Sequence, residues 1–331
     1  MYRRRLVSGE SILSSHARSN ELNDSDRPKT AVLLLAHGTA DSVDDVPEYL
    51  RYVTNGRPLP PQVVEEVKHR YARIGHSPLN EISARQGALL VRDLGLPVYV
   101  AMRNWRPFIP DVVRKIAADG RERVVAICLA PQNSRTSVGL YRKAVEGEAG
   151  TPFLLDFVES WHDHPLLVKA FAEKLLAGWP CACQEMNAKV PILFTAHSVP
   201  RRTIAEGDPY EAQARETAAL VAKAAGLIPR EWTFAFQSQG MSGGEWLGPT
   251  VEETLTGLAD KGHRGVFVQP IGFLCDHVEV LYDVDIGFRE FAGKRGMRLW
   301  RAESLNESPT LIAALADIAR TRGRSPHGAV G

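Results

Sequence analysis

The fold is indicated first by the segment Ala31-Val-Leu-Leu-Leu-Ala36, which runs directly into His37. A short, continuous apolar run is typical of a strand buried on both faces of a parallel sheet. The form returns as Ile192-Leu-Phe-Thr-Ala-His197, so two apolar strands end in Ala-His, and their histidines are 160 residues apart (197 − 37). The repeat predicts two similar lobes, each presenting a histidine at the carboxyl end of a strand.

The rest of the chain alternates apolar runs with helical patterns. Further strands are predicted at Val98–Met102, Val124–Leu129, Ile192–Ala196, Trp232–Phe236 and Val266–Gln269. Helices are predicted at Gln62–Ile74, Leu79–Leu94, Asp111–Ala118, Pro165–Leu176, Tyr210–Ala225, Val251–Ala259 and Asp276–Ala292. This alternation predicts an α/β fold in which each Rossmann-like lobe is a parallel sheet flanked by helices. Functional residues in such folds gather at the carboxyl ends of the strands.

Composition divides the chain into four parts. Residues 1–29 are rich in Ser, Asn, Asp and Arg and lack the apolar segment of a secretory signal, so they are predicted to be a disordered extension. The first lobe is assigned to residues 30–180 and the second to residues 181–322. A loose tail rich in Gly, Arg and Ser is predicted for residues 323–331.

The bulk numbers exclude several classes of protein. With 331 residues, 44% hydrophobic and 24% charged, the chain suits a globular fold of two medium domains. A formal charge of +1 gives no basic field for nucleic acid. No apolar run approaches the roughly 18–20 residues that span a bilayer. Four cysteines are too few and too scattered for a disulfide framework, which predicts a reduced, cytoplasmic protein.

Motifs for nucleotide binding and for serine hydrolases are absent. The sequence has no Gly-x-Gly-x-x-Gly after its first strand, no Walker A pattern and no Gly-x-Ser-x-Gly elbow, which argues against a dehydrogenase, kinase or hydrolase. His162-Asp-His-Pro165 resembles a metal pair, but a normal helix start is the preferred interpretation. Cys181-Ala-Cys183 lacks partners at zinc-like spacing.

The candidate functional residues are two histidines and an acidic stripe. His37 and His197 end buried strands where a sheet opens to its crevice, and the alternative is a core histidine bonded to a backbone carbonyl. Asp276, Glu279 and Asp283 are spaced i, i+3, i+7 and share one face of the predicted helix. Such a stripe either accepts protons and guides a divalent cation, or simply caps a helix N-terminus.

Longer blocks carry a resemblance to a known family. Thr195-Ala-His-Ser-Val-Pro200 and Pro270-Ile-Gly-Phe-Leu-Cys-Asp-His-Val-Glu-Val-Leu-Tyr-Asp283 resemble signature blocks of the ferrochelatases. Other blocks fit in the right order over about residues 31–320, namely His37-Gly-Thr39, Arg70-Tyr-Ala-Arg-Ile-Gly-His-Ser77, Met102-Arg-Asn-Trp105, Gly207-Asp-Pro-Tyr210 and Glu245-Trp-Leu-Gly-Pro249. The resemblance implies a porphyrin cleft between the lobes. It also implies insertion of Fe²⁺ into protoporphyrin IX or coproporphyrin III, with release of two protons, in haem biosynthesis.

The resemblance also implies roles for the two central residues. His197 matches the histidine that takes pyrrole protons or binds the entering iron, and Glu279 matches its partner carboxylate across the cleft. Both positions are treated in the family as ferrous-iron sites. The chemistry suits them, because metal insertion needs a base for the pyrrole protons and because imidazole and carboxylate both bind Fe²⁺.

Further positions match substrate contacts and a proton route. Arg70, Ser77 and Tyr141 match positions that contact the macrocycle or its propionates, and the fixed donor fork of arginine suits a propionate. Asp276 and Asp283 are assigned to a proton path beside Glu279. The resemblance thus makes porphyrin and ferrous iron the partners of this chain.

Three departures from the family pattern affect these expectations. His37 stands where relatives have Met or Tyr, so it is predicted to contact substrate and to act as an extra iron ligand facing His197. The loop Gly75-His-Ser77 is shorter than the family pattern, which bears on local substrate contacts. Arg135 stands where cluster-bearing relatives have cysteine, so no iron–sulphur cluster and no tightly bound cofactor are expected.

Different segments of the sequence favour different porphyrins as the substrate. Ala36-His-Gly-Thr39, Asn55-Gly-Arg-Pro58 and the block Glu279–Asp283 resemble the coproporphyrin branch. Thr54 and Arg301-Ala-Glu-Ser-Leu-Asn306 point instead to the protoporphyrin branch. Coproporphyrin is the preferred prediction, and peripheral membrane contact stays open.

Two alternatives come from other functional classes. One is a chelatase that inserts cobalt or nickel into a related tetrapyrrole, and metal preference in an assay separates it from a ferrochelatase. The other is a non-catalytic tetrapyrrole carrier, which would hold its ligand tightly and would not depend on His197 or Glu279. The presence of both residues favours the enzyme.

Overall fold

The computed structural model describes residues 29–147, 150–239 and 244–324, so the predicted extension (apart from residue 29) and most of the predicted tail lie outside the described residues. The strands are β1 (Thr30–Ala36), β2 (Val98–Met102), β3 (Arg123–Cys128), β4 (Leu154–Val158), β5 (Ile192–His197), β6 (Trp232–Gln237), β7 (Gly265–Pro270) and β8 (Arg298–Arg301). The α-helices are α1 (Val46–Val53), α2 (Pro61–Ile74), α3 (Leu79–Leu94), α4 (Ile109–Ala118), α5 (Val138–Glu146), α6 (Pro165–Met186), α7 (Arg201–Ala205), α8 (Tyr210–Ala224), α9 (Val251–Asp260), α10 (Arg289–Gly293) and α11 (Pro309–Arg324).

The strands form two parallel sheets with the same topology. The first sheet has the order β2-β1-β3-β4 and the second the order β6-β5-β7-β8. All pairings are parallel. Strands β1 and β5 each lie between two neighbouring strands and are fully buried along most of their length. The predicted α/β fold of two similar lobes, each a parallel sheet flanked by helices, is therefore confirmed. Continuous apolar runs such as Ala31–Ala36 were the right signal, because helices cover both faces of such strands.

Several elements differ from the expectations. Strands β4 and β8 and helices α1, α5, α7 and α11 were not predicted. Their sequences explain this, since β4 carries Asp156 and β8 begins and ends with arginine, which breaks the apolar run. Helix α6 was expected to end at Leu176 but continues through Gly178 and Pro180 to Met186.

The largest difference lies after β7. An α-helix was expected over Asp276–Ala292, but residues 271–277 are irregular and a π-helix spans Glu279–Phe288. A π-helix has i→i+5 hydrogen bonds and a wider turn, so the α-helical spacing argument for Asp276, Glu279 and Asp283 does not apply. Asp276 precedes the helix, and the three carboxylates do not form one stripe.

The two lobes share one hydrophobic core. A single cluster joins residues of β1, such as Leu34, to residues of β5, such as Phe194, through side chains of α6 and α11, including Phe171 and Leu315. The predicted boundary between residues 180 and 181 stays a prediction, and it falls inside α6. The outer face of each sheet has its own smaller cluster, under α4 and α5 in the first lobe and under α9 and the π-helix in the second.

A fourth cluster connects the first lobe to the segment before the π-helix. It contains Tyr49 of α1, Tyr71 of α2 and Trp105, with Cys275 and Val278 packed against it. Helices α1 and α2 therefore lie beside the irregular segment that follows β7. Among the described helices, none combines the length and the apolar character needed to cross a bilayer.

Candidate active site

The candidate site lies where the carboxyl ends of the strands from both lobes meet. His197 is the last residue of β5, and His37 directly follows β1. Strand β7 leads into the irregular segment that carries His277 and ends at Glu279, the first residue of the π-helix. Side chains of the two lobes meet here, because Arg70 of α2 pairs with Asp283 of the π-helix.

His197 and His277 are held in the same tautomer. Nδ1 of His197 contacts the carbonyl oxygen of Ser198, and Nδ1 of His277 lies 3.0 Å from the carbonyl oxygen of Cys275. A carbonyl only accepts, so each Nδ1 carries the proton and donates it. In the neutral ring Nε2 is then a bare acceptor. Phe273 lies beside both rings, with ring centroids 6.4 Å from His197 and 4.6 Å from His277.

Both Nε2 atoms face one carboxylate oxygen. Oε2 of Glu279 lies 3.7 Å from Nε2 of His197 and 3.9 Å from Nε2 of His277. This oxygen is inaccessible to water and has no hydrogen-bond partner among the described residues, although about a third of the side chain is exposed. Two nitrogen lone pairs and one carboxylate oxygen therefore converge, an arrangement suited to a proton or a cation. No closed group of three or more metal-binding side chains occurs within the described ranges.

The charge state of Glu279 follows from its neighbours. Burial works to raise the pKa of Glu279, but the positive charge that His197 and His277 can carry outweighs it and lowers the pKa to about 2. Glu279 is therefore ionised at any pH near neutrality. A carboxylate that is so weak a base attracts cations more readily than it keeps protons.

His37 occupies the equivalent place in the first lobe but is held differently. Nδ1 of His37 lies 3.0 Å from the carbonyl oxygen of Gly38 and 3.2 Å from the hydroxyl of Tyr49. Nε2 accepts a hydrogen bond of 2.9 Å from Nδ2 of Asn104. Burial lowers the pKa of His37 more than the bond to Gly38 raises it. The predicted role as an iron ligand requires Nε2 to leave Asn104.

Asp283 joins the π-helix to the first lobe. Its Oδ1 accepts from Arg70 Nη1 at 3.3 Å, and its Oδ2 accepts from the hydroxyl of Ser238. Arg70 also pairs with Glu66 and lies over the ring of Tyr282 at 5.2 Å. Burial raises the pKa of Asp283, and the hydrogen bond from Ser238 opposes this increase. Arg70 thus contacts a carboxylate from the other lobe.

Asp276 is directed away from this group. Its Oδ1 accepts from Ser304 Oγ at 2.7 Å and its Oδ2 from Asn306 Nδ2 at 2.9 Å. Arg301 also lies 3.4 Å from Oδ1. Arg301 is the last residue of β8, and Ser304 and Asn306 belong to the loop that follows it. Asp276 is therefore occupied by the loop after β8, whereas Asp283 faces Arg70.

The side chains of Ser77 and Tyr141 are both buried below the protein surface. Ser77 precedes α3, is 1% exposed, and its Oγ has no hydrogen-bond partner in the described part of the chain. Tyr141 of α5 is 4% exposed and packs with Leu35 and Cys128 on the outer face of the first sheet. Burial raises the pKa of its hydroxyl above the usual range.

Two residues of this site were not singled out from the sequence. His277 stands two positions before Glu279, and its proximity was the available signal, but an α-helical pattern places such a residue on a different face. Asn104 is 67 positions from His37 (104 − 37) and is brought to it only by the pairing of β1 with β2. No local sequence pattern carries that second contact.

A sequence model of the ferrochelatase family matches residues 29–323 of this chain. The chain belongs to the ferrochelatase family. This ferrochelatase is 55% identical over 308 residues to the ferrochelatase of Acidobacterium capsulatum, covering 88% of this chain and 94% of that protein. It is 33% identical over 308 residues to the coproporphyrin III ferrochelatase of a Geobacillus species, covering 89% of this chain and 98% of that protein.

The fold is shared with other chelatases of known structure. The sirohydrochlorin chelatase SirB from Bacillus subtilis, solved in complex with cobalt, superposes with a TM-score of 0.53 at 11% identity. The superposition covers 90% of this ferrochelatase and 96% of SirB. At that identity the likeness concerns the fold alone. The family establishes that this ferrochelatase is an enzyme that inserts iron into a porphyrin in haem biosynthesis, and neither the carrier nor the cobalt and nickel alternative has that support.

Proposed function

We propose that Fe²⁺ is exchanged for the two pyrrole protons of the porphyrin at the group formed by His197, His277 and Glu279. The observation that carries this proposal is the inaccessible Oε2 of Glu279, which is faced by two imidazole Nε2 atoms and has no hydrogen-bond partner in the part of the chain that the structure describes. Metal insertion converts two N–H groups and Fe²⁺ into an iron porphyrin and two protons. The site must therefore bind a dication and accept protons in the same place.

The two kinds of side chain divide this work. Glu279 is ionised at neutral pH because its pKa is about 2, so its charge attracts the ferrous ion. His197 has Nδ1 committed to the carbonyl of Ser198, so its Nε2 is the acceptor for a pyrrole proton. His277 is fixed in the same way, and it stabilises the ionised form of Glu279 when its Nε2 also carries a proton. Imidazole and carboxylate ligands suit Fe²⁺.

Protons leave the site by way of Asp283 in this proposal. The pKa of Asp283 is raised by burial and by the neighbouring charge of Glu279, so Asp283 holds a proton better than Glu279 does. Ser238 donates to Asp283, and Arg70 stabilises its ionised form. Asp276 is left out of this path, since both of its carboxylate oxygens are occupied by the loop after β8. The role of His37 as an iron ligand stays a prediction.

Among porphyrins, coproporphyrin III is the substrate we favour. The coproporphyrin-like block around Arg57 lies beside α1, and the exposed Arg57 is available to a propionate. Arg57 Nε donates to the carbonyl of Thr54 at 3.2 Å. Ser77 and Tyr141 are both buried, and we propose that they affect substrate binding by shaping the walls of the site. The 33% identical relative from Geobacillus is a coproporphyrin III ferrochelatase.

The remaining expectations concern cofactors and surroundings. We propose that no iron–sulphur cluster is present, because such a cluster is held by four cysteines and the four of this chain are divided among β3, α6 and the segment after β7. Arg135 donates instead to Thr203 and Glu206. We also propose a cytoplasmic enzyme without a nucleic-acid partner, in keeping with its charge of +1.

The test is an anaerobic assay of Fe²⁺ insertion, run separately on coproporphyrin III and protoporphyrin IX. We expect kcat/KM to be higher for coproporphyrin III. Glu279→Gln removes the charge that attracts iron and leaves the shape of the side chain almost unchanged. We expect it to lower kcat by roughly 10²-fold or more, the usual loss of rate when a catalytic group is removed. A Glu279→Gln enzyme with the activity of the parent contradicts the proposed site, and a preference for protoporphyrin IX contradicts the proposed substrate.

A further inference from the structure

The segment that carries His277 and Glu279 has little regular backbone to hold it. Residues 271–277 form neither strand nor helix, and the π-helix that follows is a rare and weakly favoured form. A catalytic side chain must nevertheless be held to within a fraction of an ångström. The contacts that fix Glu279 must therefore come from another element.

One set of these contacts comes from the end of β8. Arg301 Nε and Nη2 each donate to Asp285 at 2.9 Å, one to each carboxylate oxygen. Nη2 also lies 3.4 Å from Asp276 Oδ1, and Nη1 donates to the carbonyl of Ala302 at 2.9 Å and to Ser304 Oγ at 3.3 Å. All three nitrogens of the guanidinium thus contact acceptors, and only 12% of the side chain is exposed.

The two aspartates bracket Glu279. Asp276 lies three positions before it and Asp285 six positions after it, so one guanidinium holds both ends of the catalytic segment. The following loop adds more contacts, because Asn306 Nδ2 donates to Asp276 Oδ2 and the backbone N–H of Asp276 donates to Asn306 Oδ1, both at 2.9 Å. The backbone N–H of Asn306 donates to the carbonyl of Leu274 at 2.8 Å.

We propose that Arg301 is a positioning residue for iron insertion, which sets the place of Glu279 and His277 by holding Asp276 and Asp285. The inference rests on the proposed role of Glu279. Bidentate geometry is essential to it, because a planar fork fixes direction as well as distance and a lysine ammonium does not. Arg70 and Ser238 hold Asp283 in the middle of the segment, and without the clamp its two ends lose the guanidinium that fixes their direction.

The control variant comes from the same strand. Arg298 lies three positions before Arg301 on β8, is 61% exposed, pairs with Glu185 of α6 and stacks on Trp300 at 4.7 Å. Arg298 forms no ion pair and no hydrogen bond with the segment from Leu274 to Asp285. Arg298→Met therefore removes the same chemical group from the same strand without touching the clamp.

The experiment compares Arg301→Met, Arg301→Lys and Arg298→Met in the anaerobic Fe²⁺ assay with coproporphyrin III, with active sites counted by porphyrin fluorescence titration. We expect Arg301→Met to lower kcat about 10–100-fold, the usual cost of removing a partner that orients a metal ligand. The KM for the porphyrin should stay within about twofold of the parent, since the porphyrin contacts are elsewhere. Arg301→Lys should recover part of kcat, and Arg298→Met should match the parent.

A purely structural role gives a different pattern. In that case Arg301→Met lowers the number of active sites while each remaining site keeps the parent kcat, and the inference is overturned. If Arg301→Met does not fold, Ser304→Ala decides, because it removes only the 2.7 Å bond to Asp276 and the 3.3 Å contact with Arg301. A lower kcat at unchanged KM in Ser304→Ala supports the clamp, and a parental kcat overturns it.

Glu279→Gln in the same assay separates the two proposals. If Glu279→Gln is inactive and Arg301→Met is fully active, Glu279 keeps its role and only the clamp is wrong. If Glu279→Gln is fully active, the proposed site itself fails, whatever Arg301→Met does.

Discussion

His37 follows β1 and His197 ends β5, and each of these strands is flanked by two parallel neighbours in a sheet of the same order. Each ring donates from Nδ1 to the carbonyl oxygen of the next residue, Gly38 or Ser198. The difference is at Nε2, which accepts from Asn104 in the first lobe and faces Glu279 in the second. The fold thus supplies the position, and a single neighbouring side chain decides whether the histidine is chemically available.

Activity gives the largest contrast between the two histidines. We expect His197→Ala to lower kcat for Fe²⁺ insertion roughly 10²–10⁴-fold, because it removes the proposed proton acceptor. His37→Ala should lower kcat less than about tenfold, since its Nε2 lone pair is already used by Asn104. Parallel anaerobic assays measure both. Equal losses in the two variants, or a higher KM for iron in His37→Ala alone, would support the prediction that His37 is an iron ligand.

Stability should rank the same two variants in the opposite order. His37→Ala leaves the amide of Asn104, which is 2% exposed, without its acceptor, and we expect the free energy of unfolding to fall by about 1–3 kcal/mol. His197→Ala should cost less, because a third of that side chain is exposed. Urea unfolding measures both values. The His37→Ala/Asn104→Ala double variant is the control, and additive losses would show that the two side chains are not coupled.

The smallest expected effect concerns the contact between the lobes. Burial raises the pKa of Asp283, so its neutral form is favoured in the folded protein. The stability of the parent relative to Asp283→Asn should then rise as the pH falls through the folded pKa, and should be lost as the pH rises above it. At pH 7 we expect a difference below about 1 kcal/mol, because the partly exposed Arg70 offsets the buried charge.

Thermal unfolding of the parent and Asp283→Asn between pH 4 and pH 8 measures this effect. Arg70→Ala provides the matched control, because it removes the cation and leaves the carboxylate, and it should enlarge the pH dependence. A parent that gains stability over Asp283→Asn as the pH rises would contradict the direction of the shift. It would mean that the ion pair with Arg70 outweighs the burial of Asp283.

Much of the fold could be predicted from the sequence because its strands are buried on both faces. Ala31–Ala36 and Ile192–His197 are read as strands from apolar continuity alone, and their repetition predicts two lobes. Strand β8 could not be predicted by apolar continuity, since an edge strand that starts and ends with arginine has no apolar run. Its connection to Asp276 and Asp285 is made by tertiary structure, which no local pattern encodes.

The site was predictable only in part for a related reason. His197 and Glu279 follow from a strand end and from family blocks, but the way they meet depends on a π-helix. An α-helical spacing rule groups Asp276 with Glu279 and Asp283, whereas in the structure Asp276 accepts hydrogen bonds from Ser304 and Asn306. Spacing rules assume one helical period, and they fail where tertiary contacts impose another.

The continuous core beneath both sheets limits how this molecule moves. Hinge closure requires two bodies with separate cores joined by a few residues, but here α6 and α11 pack against β1 and β5 in one cluster. Rigid rotation of one lobe against the other would break that cluster. Helices α1 and α2 pack in a separate, smaller cluster, and we expect their amide hydrogens to exchange sooner than those of β1 and β5.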